Sequence, residues 1–334
     1  MRQIRLFLLA GLVAGGASAA PAARSDPPRL SFPIACKIGE TCEIQNYVDR
    51  DPGPGAKDYR CGSRTYQAHG GVDIRIADMA AQRAGVAVLA AAPGKVSRLR
   101  DGVADISVKA TNAPGAAGQE CGNGVVVDHG GGWETQYCHL ARGSVTVKAG
   151  DTVAAGQAIA RVGLSGNTEY PHLHITVRRA GVMVDPFAPS AAPGACDANA
   201  TASAGLWNAQ AAAQMSYKTG AVLNVGFAAA PVDMPAVEER RIVPAAAGAA
   251  ALVAYVRAID LDQGDEQALV VTGPNGAVLA ETKIPALDHS KAQYLIYVGR
   301  KRPAAGWSPG VYKGVYTASR GGRTVIRRAF EVRL

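Results

Sequence analysis

The residues of this 334-residue chain best able to do chemistry are its six histidines, His69, His129, His139, His172, His174 and His289. In His172-Leu173-His174 the imidazoles are two residues apart, and on a strand residues i and i+2 point to one face. Leu173 and Ile175 would then face the core. Two imidazoles on one buried face are costly to leave unpaired, and a metal or a substrate resolves that cost. In His69-Gly70-Gly71-Val72-Asp73 the glycines argue against a helix. Val72, Ile74 and Ile76 alternate with Asp73 and Arg75, as in a strand entered from a glycine turn. His69 and Asp73 share parity, and an imidazole nitrogen with a carboxylate oxygen suits zinc. Tyr137-Cys138-His139-Leu140 carries a further histidine. Strand parity sets His139 on the face opposite Cys138. If His139 points into a site, Cys138 points away and becomes a disulfide partner, with Cys121, before the opposing hairpin strand, as its mate. His129 reads as structural or exposed at a hairpin tip, and His289 lies in a polar turn without a role.

Taken singly, the HxH and HxxxD spacings are weak signals. Together, about a hundred residues apart and with a third histidine before a leucine between them, they are specific. With Gly163-Leu164-Ser165-Gly166-Asn167-Thr168 running into Pro171-His172-Leu173-His174, and with the turn Val147-Lys148-Ala149-Gly150-Asp151-Thr152-Val153-Ala154-Ala155-Gly156-Gln157, they resemble the lysostaphin/LytM-type zinc metallopeptidase family. The resemblance covers about residues 60–187. It implies a groove lined by antiparallel sheet, with one zinc ion per chain on its floor held by His69, Asp73 and His174. It implies that His139 and His172 are catalytic and not ligands. Three protein ligands leave a fourth position for water, whose pKa zinc lowers toward about 7. The expected reaction is hydrolysis of the peptide cross-links or stem peptides of bacterial peptidoglycan. His172 would accept the water's proton and His139 would donate to the developing oxyanion, roles the two could exchange. Some relatives lose ligands and serve as non-enzymatic, peptidoglycan-binding regulators of other wall hydrolases; this chain keeps all five positions. Residues 103–119 read as an insertion.

The elements that must position these residues are short. Strand signals over 86–90, 95–99, 106–110, 125–129, 133–140, 145–147, 158–162 and 172–178 are broken by Gly and Pro turns, and no amphipathic helix is evident. Beyond an Ala-rich stretch at 195–214, seven more strand signals lie over 222–227, 251–258, 267–271, 278–282, 293–299, 310–319 and 324–333. Their number and spacing suggest a sandwich of immunoglobulin type. The expected fold class is therefore all-β: a metallopeptidase domain built as an antiparallel β-sheet groove of the hybrid-motif kind, then an immunoglobulin-like β-sandwich. The expected organisation is a signal peptide at 1–19, an extended cysteine-containing segment at 20–60, the peptidase domain at 61–192, a linker or short helix at 193–215 and the sandwich at 216–334.

Arg2 and Arg5, the apolar run 6–17 and Ala17-Ser18-Ala19 carry the export signal. No later stretch is apolar for the roughly 18 residues of a membrane span, so no membrane segment is expected after signal removal. Six cysteines behind such a signal favour disulfides in an oxidising compartment, and none has the CxxC spacing of a zinc knuckle or redox site. The net charge of +8 includes the two signal arginines; the rest is compatible with an anionic envelope polymer and with a solvated basic surface. No aromatic-plus-basic module points to nucleic acid. The expectation is an exported protein, periplasmic or secreted, acting on peptidoglycan peptides, with the sandwich available to an envelope protein partner.

Overall fold

Alternation along Val72–Ile76 becomes a central strand of the first sheet, with Val72, Ile74 and Ile76 fully buried. The computed structural model describes residues 26–110, 113 and 117–334. The expected signal peptide, and part of the expected insertion, lie outside the described residues. The first ten strands are β1 (Cys42–Asn46), β2 (Val72–Ile76), β3 (Ala87–Leu89), β4 (Gly94–Arg100), β5 (Asn123–Gly130), β6 (Trp133–Leu140), β7 (Thr152–Val153), β8 (Ala158–Arg161), β9 (His172–Arg179) and β10 (Val182–Val184). Eight of them form one antiparallel sheet in the order β1-β2-β9-β6-β5-β4-β7, with β10 added to β9; β3 pairs with β8. One face of the large sheet is apolar. Val72, Ile74, Val125, Val127, Tyr137, Leu173, Ile175 and Val177 pack there against Val88, Ile159, Leu30 and Trp207, each such burial contributing about 1.5–3 kcal/mol. The other face of β6 and β9 carries polar residues and forms the groove.

The remaining strands are β11 (Ala221–Ala228), β12 (Ala251–Leu261), β13 (Glu266–Thr272), β14 (Val278–Ile284), β15 (Lys291–Lys301), β16 (Val311–Arg320) and β17 (Arg323–Arg333). They form an immunoglobulin-like sandwich of two antiparallel sheets, β11-β12-β15 and β14-β13-β16-β17. The fourth strand pairs with the third, which makes the division three plus four and not the four plus three of constant-type domains. Leu269, Val271, Tyr312, Tyr316 and Ala318 alternate inward against Ala254, Val256 and Ile296 of the opposite sheet.

Several local expectations fail for visible reasons. Residues 106–110 are not a strand, because Asp105 draws that segment onto neighbouring loops, accepting from the backbone N–H of Arg142 at 2.8 Å and of Leu164 at 2.7 Å. Residues 145–147 are also irregular, with Val145 N–H turned to the Asp101 carboxylate at 3.2 Å. Strand β1 lies in the cysteine-containing segment expected to be extended, although Cys42 and Ile44 alternate with Glu43 and Gln45 and all five residues are buried. Helix α1 (Met79–Ala84) and helix α3 (Met234–Glu238), with α2 (Ala209–Gln214) between them, span only five or six residues each. They are fixed at their starts by Asp78, Asn208 and Asp233 accepting from the third following N–H. Leu206, Trp207 and Ala211, from the Ala-rich stretch, and Met215 just after it are buried in the first core.

Disulfides join Cys36 to Cys42, Cys61 to Cys196 and Cys121 to Cys138. The two halves meet over polar ties. Arg64 reaches Asp260, Arg257 donates to the Ala77 carbonyl, and Arg240 pairs with Asp78 at 2.8 Å. Lys218 pairs with Glu43 at 2.7 Å and Arg83 with Glu239 at 2.8 Å.

Candidate active site

Register alone brings the distant motifs together. On the paired strands β2 and β9, Asp73 lies directly opposite His174, and Arg75 opposite His172. Gly71 is what lets His174 pack there: a Cβ at that position would stand 2.5 Å from His174 Nε2. Asp73 Oδ1 is 2.8 Å from His174 Nδ1, 3.2 Å from His69 Nε2 and 3.4 Å from His172 Nε2. His69 Nε2 and His174 Nδ1 are 3.2 Å apart.

Each of these groups is aimed by its other polar atom. His69 Nδ1–H donates to the Tyr47 carbonyl at 2.6 Å, leaving Nε2 toward the centre. Asn46 Nδ2 donates to Asp73 Oδ2 at 3.0 Å, leaving Oδ1 inward. His174 Nε2 lies 3.1 Å from Thr176 Oγ1, leaving Nδ1 inward. Such outer contacts fix tautomer and direction in metal sites. Zinc bonds of about 2.0–2.2 Å place tetrahedral donors roughly 3.3–3.6 Å apart. The separations among these three donors, 2.8–3.2 Å, fall about 0.1–0.5 Å below the lower of these values, so a small outward shift of Asp73 and His174 seats the ion and the donor set fits zinc. A second convergent set, His139, His172 and His174, shares His174 with the first.

His139 and His172 face each other with ring centres 4.6 Å apart. His139 Nδ1–H donates to the Ser165 carbonyl at 2.8 Å and His172 Nδ1–H to the Tyr170 carbonyl at 2.9 Å. The parity argument for His139 is overturned. Cys138 lies directly opposite His174, so the two side chains share the groove face, and His139 lines the groove as well. His139 reaches it because its backbone is left-handed, φ 60°, which breaks the alternation of β6. The Cys121–Cys138 bridge is therefore part of the groove beside His139, not turned away from it.

Burial pushes the Asp73 carboxyl up, but the positive charges of His69 and His172 and hydrogen bonds from His172 and His174 outweigh it and hold the group well below the usual carboxylate range. Burial pulls His69 down, and Asp73 more than reverses this, so His69 ends raised. Burial first, then repulsion from His172 and His174, pushes His139 down to about 3. His174 is lowered, again by burial before anything else. The groove beyond these residues has a volume of about 300 Å³, with Tyr66, Met183, Asn167, Gln136 and Arg178 along it.

Residues 67–186 match the family model described as Peptidase family M23. This stretch is an M23 peptidase domain. The M23 domain of this chain is similar to the peptidoglycan DD-endopeptidase ShyA of Vibrio cholerae, 48% identical over 56 residues that cover 16% of this chain and 12% of that protein. It is also similar to the cell division protein DipM of Caulobacter vibrioides, 38% identical over 68 residues that cover 20% of this chain and 11% of the relative. The chain thus spans about an eighth or less of the length of these two relatives. Among solved structures, a zinc-containing peptidase from Vibrio cholerae aligns at 26% identity and a TM-score of 0.32, covering 48% of this chain and 39% of that one.

The M23 domain brings together His69, Asp73, His139, His172 and His174 and leaves the other two histidines out. His129 is occupied by the Pro93 carbonyl at 2.7 Å and Thr135 Oγ1 at 2.9 Å. His289 is exposed beside Asp288 and Lys291. Sequence reasoning missed Asn46 and the Tyr47 carbonyl, which carried no motif. It also missed the Ser165 carbonyl, which accepts from His139, and Thr168, whose Oγ1 lies 3.1 Å from His172 Nδ1, although both stand in the quoted Gly-Leu-Ser-Gly-Asn-Thr run.

Proposed function

We propose that this chain is a zinc-dependent endopeptidase that cuts the peptide part of bacterial peptidoglycan. The observation that carries the reading is the convergence of His69 Nε2, Asp73 Oδ1 and His174 Nδ1 at one point of an open groove in an M23 domain. These three residues would hold one zinc ion per chain, with the catalytic unit assigned to residues 61–192. When bound, zinc supplies a Lewis acid that polarises a carbonyl and acidifies water.

The chain's own groups supply the proton chemistry. With zinc taking up the charge of Asp73, and with both Nδ1–H groups committed to carbonyls, His139 and His172 would be neutral and each would keep a lone pair on Nε2. Neither neutral ring can then donate to an oxyanion, which revises the role first expected of His139. Its disfavoured protonation makes His139 a poor store for a proton; it orients the attacking water by accepting a hydrogen bond. His172, with Nε2 3.4 Å from the Asp73 carboxylate, takes the proton and passes it to the leaving amine. The pairing of all six cysteines supports an exported protein acting in an oxidising compartment. The ShyA resemblance supports peptidoglycan peptides as substrate.

The test is to incubate the zinc-loaded full chain with purified peptidoglycan and read new amino groups and fragment masses, with and without chelator. Chelator-sensitive release supports the enzyme. Tight binding to the wall without release replaces it with the non-enzymatic regulator.

A further inference from the structure

The sandwich reaches the active site through one guanidinium. Arg75 lies two residues past Asp73 on β2, opposite His172, and is buried. From its own half it finds Gln45 Oε1 at 3.1 Å. Its other polar partners belong to the sandwich: it donates to Gln293 Oε1 at 2.8 Å and stands 3.7 Å from Glu238 Oε1, an ion pair without a direct hydrogen bond. Among the described residues, Glu238 is the only carboxylate within ion-pair distance of it. Glu238 in turn accepts from Arg257 at 3.0 Å and from Gln293 Nε2 at 3.3 Å. The guanidinium lies 3.8 Å from the centre of the Tyr170 ring, a cation–π contact. Tyr170 is the residue whose carbonyl accepts His172 Nδ1–H, and its ring centre is 5.3 Å from that of His172.

We infer that Arg75 is a positioning residue held in place by the sandwich, and that through the Tyr170 ring and carbonyl it sets the direction of His172. The sandwich is then a working part of turnover and not a tether. A guanidinium this buried has few alternative partners. Once its partners on β15 and α3 are gone, it must move toward solvent, and the ring stacked on it moves too. This inference rests on the peptidase reading for its kinetic arm only.

The experiment uses the full zinc-loaded chain with Gln293→Ala, with Gln293→Ala combined with Glu238→Gln, and with Gln293→Glu, which keeps an acceptor for Arg75. Displacements of about 1 Å can cost up to roughly a hundredfold in rate. The expected result is a kcat about tenfold lower in the double variant, less in Gln293→Ala, and largely restored in Gln293→Glu. KM and zinc content stay unchanged in all three. Lys283→Ala, at an exposed position of β14, keeps wild-type kcat; a merely structural role would lower the melting temperature without splitting kcat from KM. Imidazole NMR of the ¹⁵N-histidine-labelled protein gives the second reading: the His172 Nδ1–H signal shifts or broadens in the first two variants. Wild-type kcat with an unmoved His172 signal overturns the inference. If the wild-type chain releases no amino groups, the peptidase reading falls and the NMR arm alone decides the coupling. If the double variant fails to fold, Arg75→Lys, which keeps the charge but loses the planar fork, is read by the same two measurements.

Discussion

The two halves of the molecule bury polar groups in different ways. In the sandwich most buried polar side chains are spent on structure. The Tyr316 hydroxyl donates to Gln267 at 2.8 Å, and the Asp265 carboxylate takes Arg320 at 2.8 and 2.9 Å. In the M23 half, His69, Asp73, His139, His172 and His174 each satisfy one polar atom with a structural partner and aim the other at a common point. Desolvating a polar group is repaid by a hydrogen bond in the first case; in the second, part of the repayment awaits a ligand. The strands differ accordingly. Those of the sandwich run for seven to eleven residues in near-regular ladders, while the M23 strands run for two to eight and are joined by loops that Asp101 and Asp105 hold with side-chain acceptors. Regular pairing suits support; irregular backbone brings five chemistry-bearing residues to one place.

The sharpest way to break this comparison is His174→Ala. It removes the proposed zinc ligand that both convergent sets share, so bound zinc, measured on the dialysed protein, should fall from the proposed one per chain to none, and wall digestion should vanish with it. Next is His172→Ala. Zinc content should remain, and turnover should drop by about 10²–10⁴, the usual range for losing a positioned acid–base group. A variant that digests the wall at the wild-type rate removes His172 from the chemistry.

The sandwich should answer differently. Leu269→Ala, in the middle of its core, should cost about 2–5 kcal/mol in chemical denaturation. It should leave kcat unchanged at temperatures where the protein stays folded, because β13 lies in the sheet that does not carry Gln293. Between these extremes stands the Cys121–Cys138 bridge. Closing a loop of this size is worth about 3 kcal/mol. Because the bridge ends one residue before a left-handed histidine, the double Cys→Ser variant should also lose part of its turnover at full zinc occupancy. Lost stability with intact turnover would make the bridge a staple and nothing more.

The amino-acid sequence exposes what depends on periodicity and hides what depends on exceptions to it. Strand β2 and strand β9 were readable because apolar and polar residues alternate, and the meeting of His69, Asp73 and His174 follows from two such strands pairing in register. The seven sandwich strands were readable for the same reason, although alternation does not say to which sheet β14 belongs. Strand β1 alternates only over Cys42-Glu43-Ile44-Gln45, too short a run among the cysteine turns to stand out. His139 misled because its left-handed backbone reverses the face that counting assigns, and the disulfide was correctly paired by an argument whose geometry is wrong. Arg75 entered only as a polar position in the alternation of β2. Only the packed sandwich turns it into a buried cation beside His172.

The finest contrast is in protons. An ordinary unfolded histidine titrates near 6.5, whereas burial and two neighbouring imidazoles hold His139 down to about 3. Between those values the unfolded chain binds a proton at this position and the folded chain does not. Stability contributed by His139 is thus complete above about 6.5 and is lost as pH falls toward about 3, at no more than about 1.4 kcal/mol per pH unit. Asp73, whose carboxyl is depressed in the fold, loses its contribution only at lower pH, and His69, raised by Asp73, contributes in the opposite sense. The His139 part is therefore best isolated as a difference. Denaturation of the chelator-treated protein and of His139→Gln should be followed from pH 7 to pH 4. The wild-type curve should fall more steeply, and the two should converge toward the acid end; parallel curves would mean that the imidazole takes up its proton in the folded state, which would let it share the base role proposed for His172.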